Sequence, residues 1–147
     1  MTTDKYHVLA GPEGRYEFLS EGPKGIIKKI VLYDRLSDNI YNLGFGDWNE
    51  TEQKVDDTVR SNNNDSNKVL ATVASTIIDF LEHRPDAAII AQGVTAAKTR
   101  LYQMLINQHF QGISPIFNIE GSYKGHWEPF RSGKNYEAFM AKSQIRM

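Results

Sequence analysis

Cysteine is absent from the 147 residues, so disulfides, thiolate metal sites and a cysteine nucleophile are excluded. That absence fits a reducing compartment, and a cytoplasmic location is the expectation. Basic charge is not in excess either: 17 Lys and Arg face 18 Asp and Glu, a net charge of −1. No nucleic-acid partner is expected, because such a domain usually carries a basic surplus. No apolar run approaches the ~20 residues of a membrane helix. The opening residues also lack the basic and apolar stretches of a signal peptide, so no membrane partner is expected. His7, His83, His109 and His126 have no helical ligand spacing, and no metal is expected. Gly-x-Ser-x-Gly, the P-loop and a post-strand Gly-x-Gly-x-x-Gly are all missing, and no cofactor is expected from motifs.

What remains is an ordinary globular composition, 40% apolar and 24% charged, in a length that suits one domain. Residues 1–61 read as a strand-rich half. Tyr6–Leu9 and Tyr16–Ser20 flank a Gly/Pro cluster, as in a hairpin. Ile26–Tyr33 is β-branched and reads as a longer strand. Over Ile40–Trp48, Tyr41, Leu43 and Phe45 alternate with Asn42, Gly44 and Gly46, so one strand face is nearly bare. A bare face admits either a tightly packed helix or the close approach of a ligand. Lys54–Arg60 is a weaker strand.

Residues 62–123 read as helix, strand, helix, strand. Val69, Leu70, Val73, Ile77, Phe80 and Leu81 recur at helical spacing, with Asp65 or Ser66 placed to cap and Pro85 to stop the helix. Ala87–Ala91 reads as a buried strand. Thr95 is placed to cap a second helix with Ala97, Leu101, Met104 and Leu105 inward. Ile116–Tyr123 follows as a strand. Residues 124–147 read as a tail, with a short strand near Trp127 and a short helix over Asn135–Ser143. The whole implies an α/β (α+β) domain: a mixed, mostly antiparallel sheet with one strand–helix–strand crossover and helices packed on it.

Strand, polar turn, helix, strand, helix, strand resembles the second half of the GNAT N-acyltransferase fold. In that superfamily the turn before the first helix binds acyl-CoA pyrophosphate, and a tyrosine on the second helix protonates the departing thiolate. The resemblance assigns cofactor binding to Asn62, Asn63, Asn64, Asp65, Ser66, Asn67 and Lys68, and the acid to Tyr102 of Leu101-Tyr102. The two glycines of the superfamily's turn are replaced here by Asp65 and Asn67. Asp65 sets a negative charge where a pyrophosphate would sit. A second likeness, carried by Asn-Leu-Gly-Phe-Gly-Asp at 42–47, by 67–74 and by 99–102, is to a family of small bacterial proteins of unknown function.

These readings imply a non-catalytic or degenerate GNAT-like module that binds an unidentified protein or small molecule. A diverged acyl-CoA-dependent N-acyltransferase is the alternative, and a component of a toxin–antitoxin-like pair is a third class. For a protein partner, Trp48 with Asp47 and Glu50 in an acidic loop is the candidate surface. A solvated acidic loop explains the same residues. Lys68, Arg100, Glu120 and the His126-Trp127-Glu128 run each have a polar-surface or turn reading beside a binding one.

Overall fold

A computed structural model describes residues 4–56 and 63–143. The chain begins with antiparallel strands on short turns: β1 (Leu9–Ala10), a 3-10 turn at Pro12–Gly14, β2 (Arg15–Gly22), β3 (Gly25–Ser37), β4 (Ile40–Asn49) and β5 (Lys54–Asp56). The β2–β3 loop has only two residues between the paired Gly22 and Gly25. Gly25 has φ +89°, a conformation that favours glycine. The remainder of the Lys54–Arg60 strand expectation lies outside the described residues.

Then come α1 (Ser66–His83), β6 (Ala88–Ala91), α2 (Ala96–Ile113), β7 (Phe117–Tyr123), β8 (His126–Pro129) and β9 (Ala138–Ser143). Among the described residues the strands form one sheet in the order β1-β2-β3-β4-β6-β9-β7-β8, with β5 also on β4. One pair is parallel, β4 with β6 from Ile40↔Ala88 to Leu43↔Ala91, and α1 is its crossover. This is the mixed, mostly antiparallel sheet expected from the sequence. No helix in the described residues is long and apolar enough to cross a membrane.

Both helices lie on the same face of the sheet. Tyr16, Phe18, Val31, Tyr33, Leu43, Phe45, Ile89, Ile119 and Phe139 point to that face and join the buried residues of α1 and α2 in one core. Phe80 of α1 is fully buried, with its ring stacked on Tyr33 at 4.2 Å between centroids. Burying each such side chain stabilises the fold by roughly 1.5–3 kcal/mol. Strand alternation sends Arg15, Glu17, Leu19, Lys28, Leu32, Asn42, Gly44 and Trp48 to the other face. No helix of the described residues covers that face at Gly44, although Ile30 and Gly46 on it are buried. A Cβ built on Gly44 would meet only the Leu32 carbonyl oxygen, at 3.9 Å.

Two sequence expectations are corrected. Residues 135–143 are not a terminal helix. Residues 138–143 form β9, inserted between β6 and β7 and paired antiparallel with both. Ala, Met and Lys suit a helix, but two flanking ladders outweigh that weak preference. Residues 138–143 therefore lie in the sheet's interior, and 126–129 form its edge strand, rather than a tail. The buried face of α2 is also rotated. Lys98, Tyr102, Gln103, Leu105 and Ile106 are buried, whereas Met104 is 37% exposed. Gln103 turns inward because its amide donates to the Lys134 carbonyl and accepts from the Tyr136 N–H at 3.0 Å.

Truncating Phe139→Ala removes a buried ring from the interior strand, and urea unfolding is expected to lose about 3–5 kcal/mol. Amide exchange at Phe139 and Ala141 is expected to be slower than along β8. A second expectation concerns pH. Burial pushes the Tyr33 hydroxyl well above its usual range, and burial with the Asp79 carboxylate raises that of Tyr16. Folding thus favours the neutral phenols. Their contribution is complete below the unfolded value of about 10 and is lost as pH rises above it. The urea midpoint should fall above about pH 10, and less steeply in Tyr16→Phe.

Candidate functional site

The turn before α1 is built from its own side chains. Asn62 lies outside the described residues. Asn63 is only 2% exposed. Its amide donates to Ser20 Oγ at 3.1 Å and to the Gly25 carbonyl at 3.0 Å, and accepts from the Lys24 N–H at 2.7 Å. Asp65 Oδ2 accepts from the Tyr6 hydroxyl at 2.6 Å and the Ser20 hydroxyl at 2.5 Å. Burial, together with this carboxylate, raises the Tyr6 hydroxyl above its usual value. A Cβ at Gly22 would lie 2.0 Å from the Asn63 carbonyl oxygen, so only glycine lets the turn dock there.

These bonds change the capping expectation. Asp65 stands at the N-cap of α1, but its side chain bonds none of the first-turn amides. The two hydroxyls have taken it instead. Ser66 and Asn67 are exposed. Lys68 sits in the first turn, where the helix dipole disfavours a cation, and its Nζ lies 4.3 Å from the centre of the Tyr6 ring.

Tyr102 lies elsewhere. The β4–β6 ladder stops at Leu43, and β5 joins the same edge of β4 only at Asp47. Among the described residues, 44–46 have no strand partner on that edge. Tyr102 is 4% exposed, and its hydroxyl approaches the Leu43 carbonyl oxygen at 3.5 Å. Lys98, also buried, has its Nζ 4.3 Å from the centre of the Phe45 ring. The start of α2 is held by Thr95, which accepts from the Lys98 N–H at 3.1 Å as a proper cap. Gly93 is required nearby, because a Cβ there would sit 2.3 Å from the Thr99 nitrogen. The turn thus meets the β2–β3 hairpin and Tyr102 meets β4, with β3 between them in the sheet.

Trp48, Asp47 and Glu50 do not form one surface. Asp47 turns to the helix face and pairs with the buried Lys29 at 2.5 Å. Trp48 turns to the open face, with Arg15 at 5.2 Å and Lys28 at 5.6 Å from its ring centre. Glu50 accepts from the Gln53 amide. Beside Trp48, Arg15, Asp34, Asn42 and Gly44 line a hollow of about 370 Å³. Glu128 is held below the usual carboxylate range by Lys134. His109 has a buried Nε2 without a partner, and burial lowers its pKa. Among the described residues no cluster of His, Asp and Glu suits a metal.

Sequence reasoning did not find a second hollow. About 470 Å³ opens at the edge of β2, lined by Tyr6, Leu9, Phe18, Leu19, Lys28 and Lys68 among others. The hairpin between Tyr6–Leu9 and Tyr16–Ser20 was readable, but where its pairing ends was not. Only Leu9 and Ala10 pair with β2, because Tyr6 is drawn away by an N–H bond to Thr72 Oγ1 of α1 at 2.8 Å.

The chain belongs to a family of unknown function (DUF6934), whose model matches residues 2–144. No curated protein and no solved structure matches it.

Asn63→Ala would leave Ser20 Oγ, the Gly25 carbonyl and the Lys24 N–H without their buried partner. Each unmade bond costs roughly 1–3 kcal/mol where water cannot replace it, so a loss of about 2–4 kcal/mol is expected in urea unfolding. Ser66→Ala at the exposed first residue of α1 serves as the control, with an expected change within about 0.5 kcal/mol.

Proposed function

We propose that this chain is a binding module on a GNAT-like frame whose pyrophosphate turn has become structural. The frame is supported by the parallel β4–α1–β6 unit followed by α2 and β7. One observation carries the proposal: the polar groups of Asn63 and Asp65 are consumed by Ser20, Tyr6 and the β2–β3 loop. A helix N-terminus attracts phosphate through free amides and the dipole. Here an incoming anion would meet the Asp65 carboxylate beside those amides and would have to break a buried network to displace it. Ligand binding falls instead to the hollow at the β2 edge, whose volume is in the range of small-ligand sites.

A second reading, a diverged acyltransferase, is favoured by Tyr102 and Lys98 lying against Leu43 and Phe45 of β4, where its ladder with β6 ends. There Tyr102 would serve as general acid to a departing thiolate. Titration calorimetry with acetyl-CoA separates the two. The binding-module reading expects no saturable heat at millimolar ligand, whereas micromolar affinity with acyl transfer to an amine overturns it. Under the second reading Tyr102→Phe lowers turnover by about 10²–10⁴, and unchanged turnover removes Tyr102 from the chemistry.

A further inference from the structure

The outer edge of β2 is satisfied at every second residue except one. Gly22 and Gly25 close a two-residue hairpin loop, so they form a hydrogen-bonded pair. Alternation then directs the backbone of Ser20, Phe18 and Tyr16 to β3, and that of Arg15, Glu17, Leu19 and Glu21 outward. Three of the four outward residues have partners. The Arg15 carbonyl accepts from the Gly11 N–H at 2.6 Å. Glu17 pairs with Leu9. The Glu21 N–H donates to the Tyr6 hydroxyl oxygen at 3.0 Å, and that hydroxyl's own proton goes to Asp65. Leu19 has no such partner among the described residues, and it lines the 470 Å³ hollow.

We propose that this hollow takes the C-terminal residue of an extended peptide, which completes the β2 edge at Leu19. The reading of the chain as a binding module is its premise. An antiparallel hydrogen-bonded pair needs one ligand residue to give an N–H to the Leu19 carbonyl and an oxygen to the Leu19 N–H. Leu9 closes the slot at its Glu17 end, so a chain pairing antiparallel with Leu19 must end there, and its preceding residues turn outward past the Tyr6 hydroxyl at the Glu21 end. Glu17 and Glu21 also line the hollow, and Glu17 is paired with Lys28; Lys68, which makes no ion pair among the described residues, is left to meet a terminal carboxylate. Leu9, Phe18 and Leu19 give the walls an apolar character that suits an apolar last side chain. A second copy of this chain fits poorly. Antiparallel pairing of Leu19 on Leu19 would set Glu17 opposite Glu21, and like charges facing across strands repel.

The probe is acetyl-Ala-Ala-Leu with a free carboxylate, titrated into the ¹⁵N-labelled full chain by NMR. The Leu19 amide is expected to shift saturably and to exchange more slowly with solvent. Amidation of the probe and Lys68→Gln are each expected to weaken binding about tenfold, the loss of one charge-assisted bond. Leu19→Pro removes the N–H from the outer edge and is expected to abolish binding while the far-ultraviolet spectrum is kept; Lys68→Gln carries the test if the proline variant unfolds. No saturable shift at Leu19, or equal affinity for the amidated probe, overturns the proposal. Equal affinity for N-acetyl-leucine alone overturns the peptide in favour of a small acylated amino acid. Acetyl-CoA binding would instead count against the binding-module reading, whatever the peptide does.

Discussion

Ser20 Oγ joins the two halves of the molecule. It accepts from the Asn63 amide and donates to the Asp65 carboxylate, and Tyr6 donates to that same carboxylate oxygen. One buried hydroxyl on β2 thereby fixes the start of α1 and the N-terminal segment together. Each neutral bond contributes about 1 kcal/mol net, and those to the carboxylate about 1.5–3 kcal/mol. Their larger effect is positional. With the first turn of α1 anchored over the β2–β3 hairpin, Thr72 meets the Tyr6 N–H, Thr76 meets Tyr33, and Asp79 meets Tyr16, along successive turns of the helix.

The same anchoring decides where ligands can enter. Tyr6, held by α1, parts from β2 and leaves the Leu19 edge open. Asp65, held by Tyr6 and Ser20, is withdrawn from capping but keeps its charge at the helix start. On the far side of β3, Tyr102 and Lys98 lie against β4 where its ladder with β6 ends. Among the described residues, the sheet thus has two breaks in strand pairing, at Leu19 and beyond Leu43. One is approached by buried groups of α2, and the other opens to solvent beside Lys68.

Much of this was legible in the chain. The apolar period of α1, the Pro85 stop, the Thr95 cap and the strand–helix–strand crossover follow from local pattern, and each is present. The terminal strand was not legible, because residues 138–143 carry helix-favouring side chains and become a strand only through pairing with β6 and β7. The face of α2 misled for a related reason. Lys98 and Gln103 look like surface residues until Phe45 and the 134–136 segment are placed beside them. At the turn, the loss of both glycines pointed away from a phosphate loop, but the partners that occupy Asn63 and Asp65 lie about forty residues or more upstream. No local pattern reveals contacts so distant in sequence, nor the edge left open at Leu19.

The central claim is that the turn before α1 is a structural clasp rather than an anion site. Its most direct test is the ¹⁵N spectrum during titration with inorganic pyrophosphate. The account predicts that the Asn63 side-chain amide stays protected from solvent exchange and that the Asp65, Ser66 and Asn67 amides do not shift saturably. A saturable shift of those amides, with the Asn63 side chain released to solvent, would contradict it.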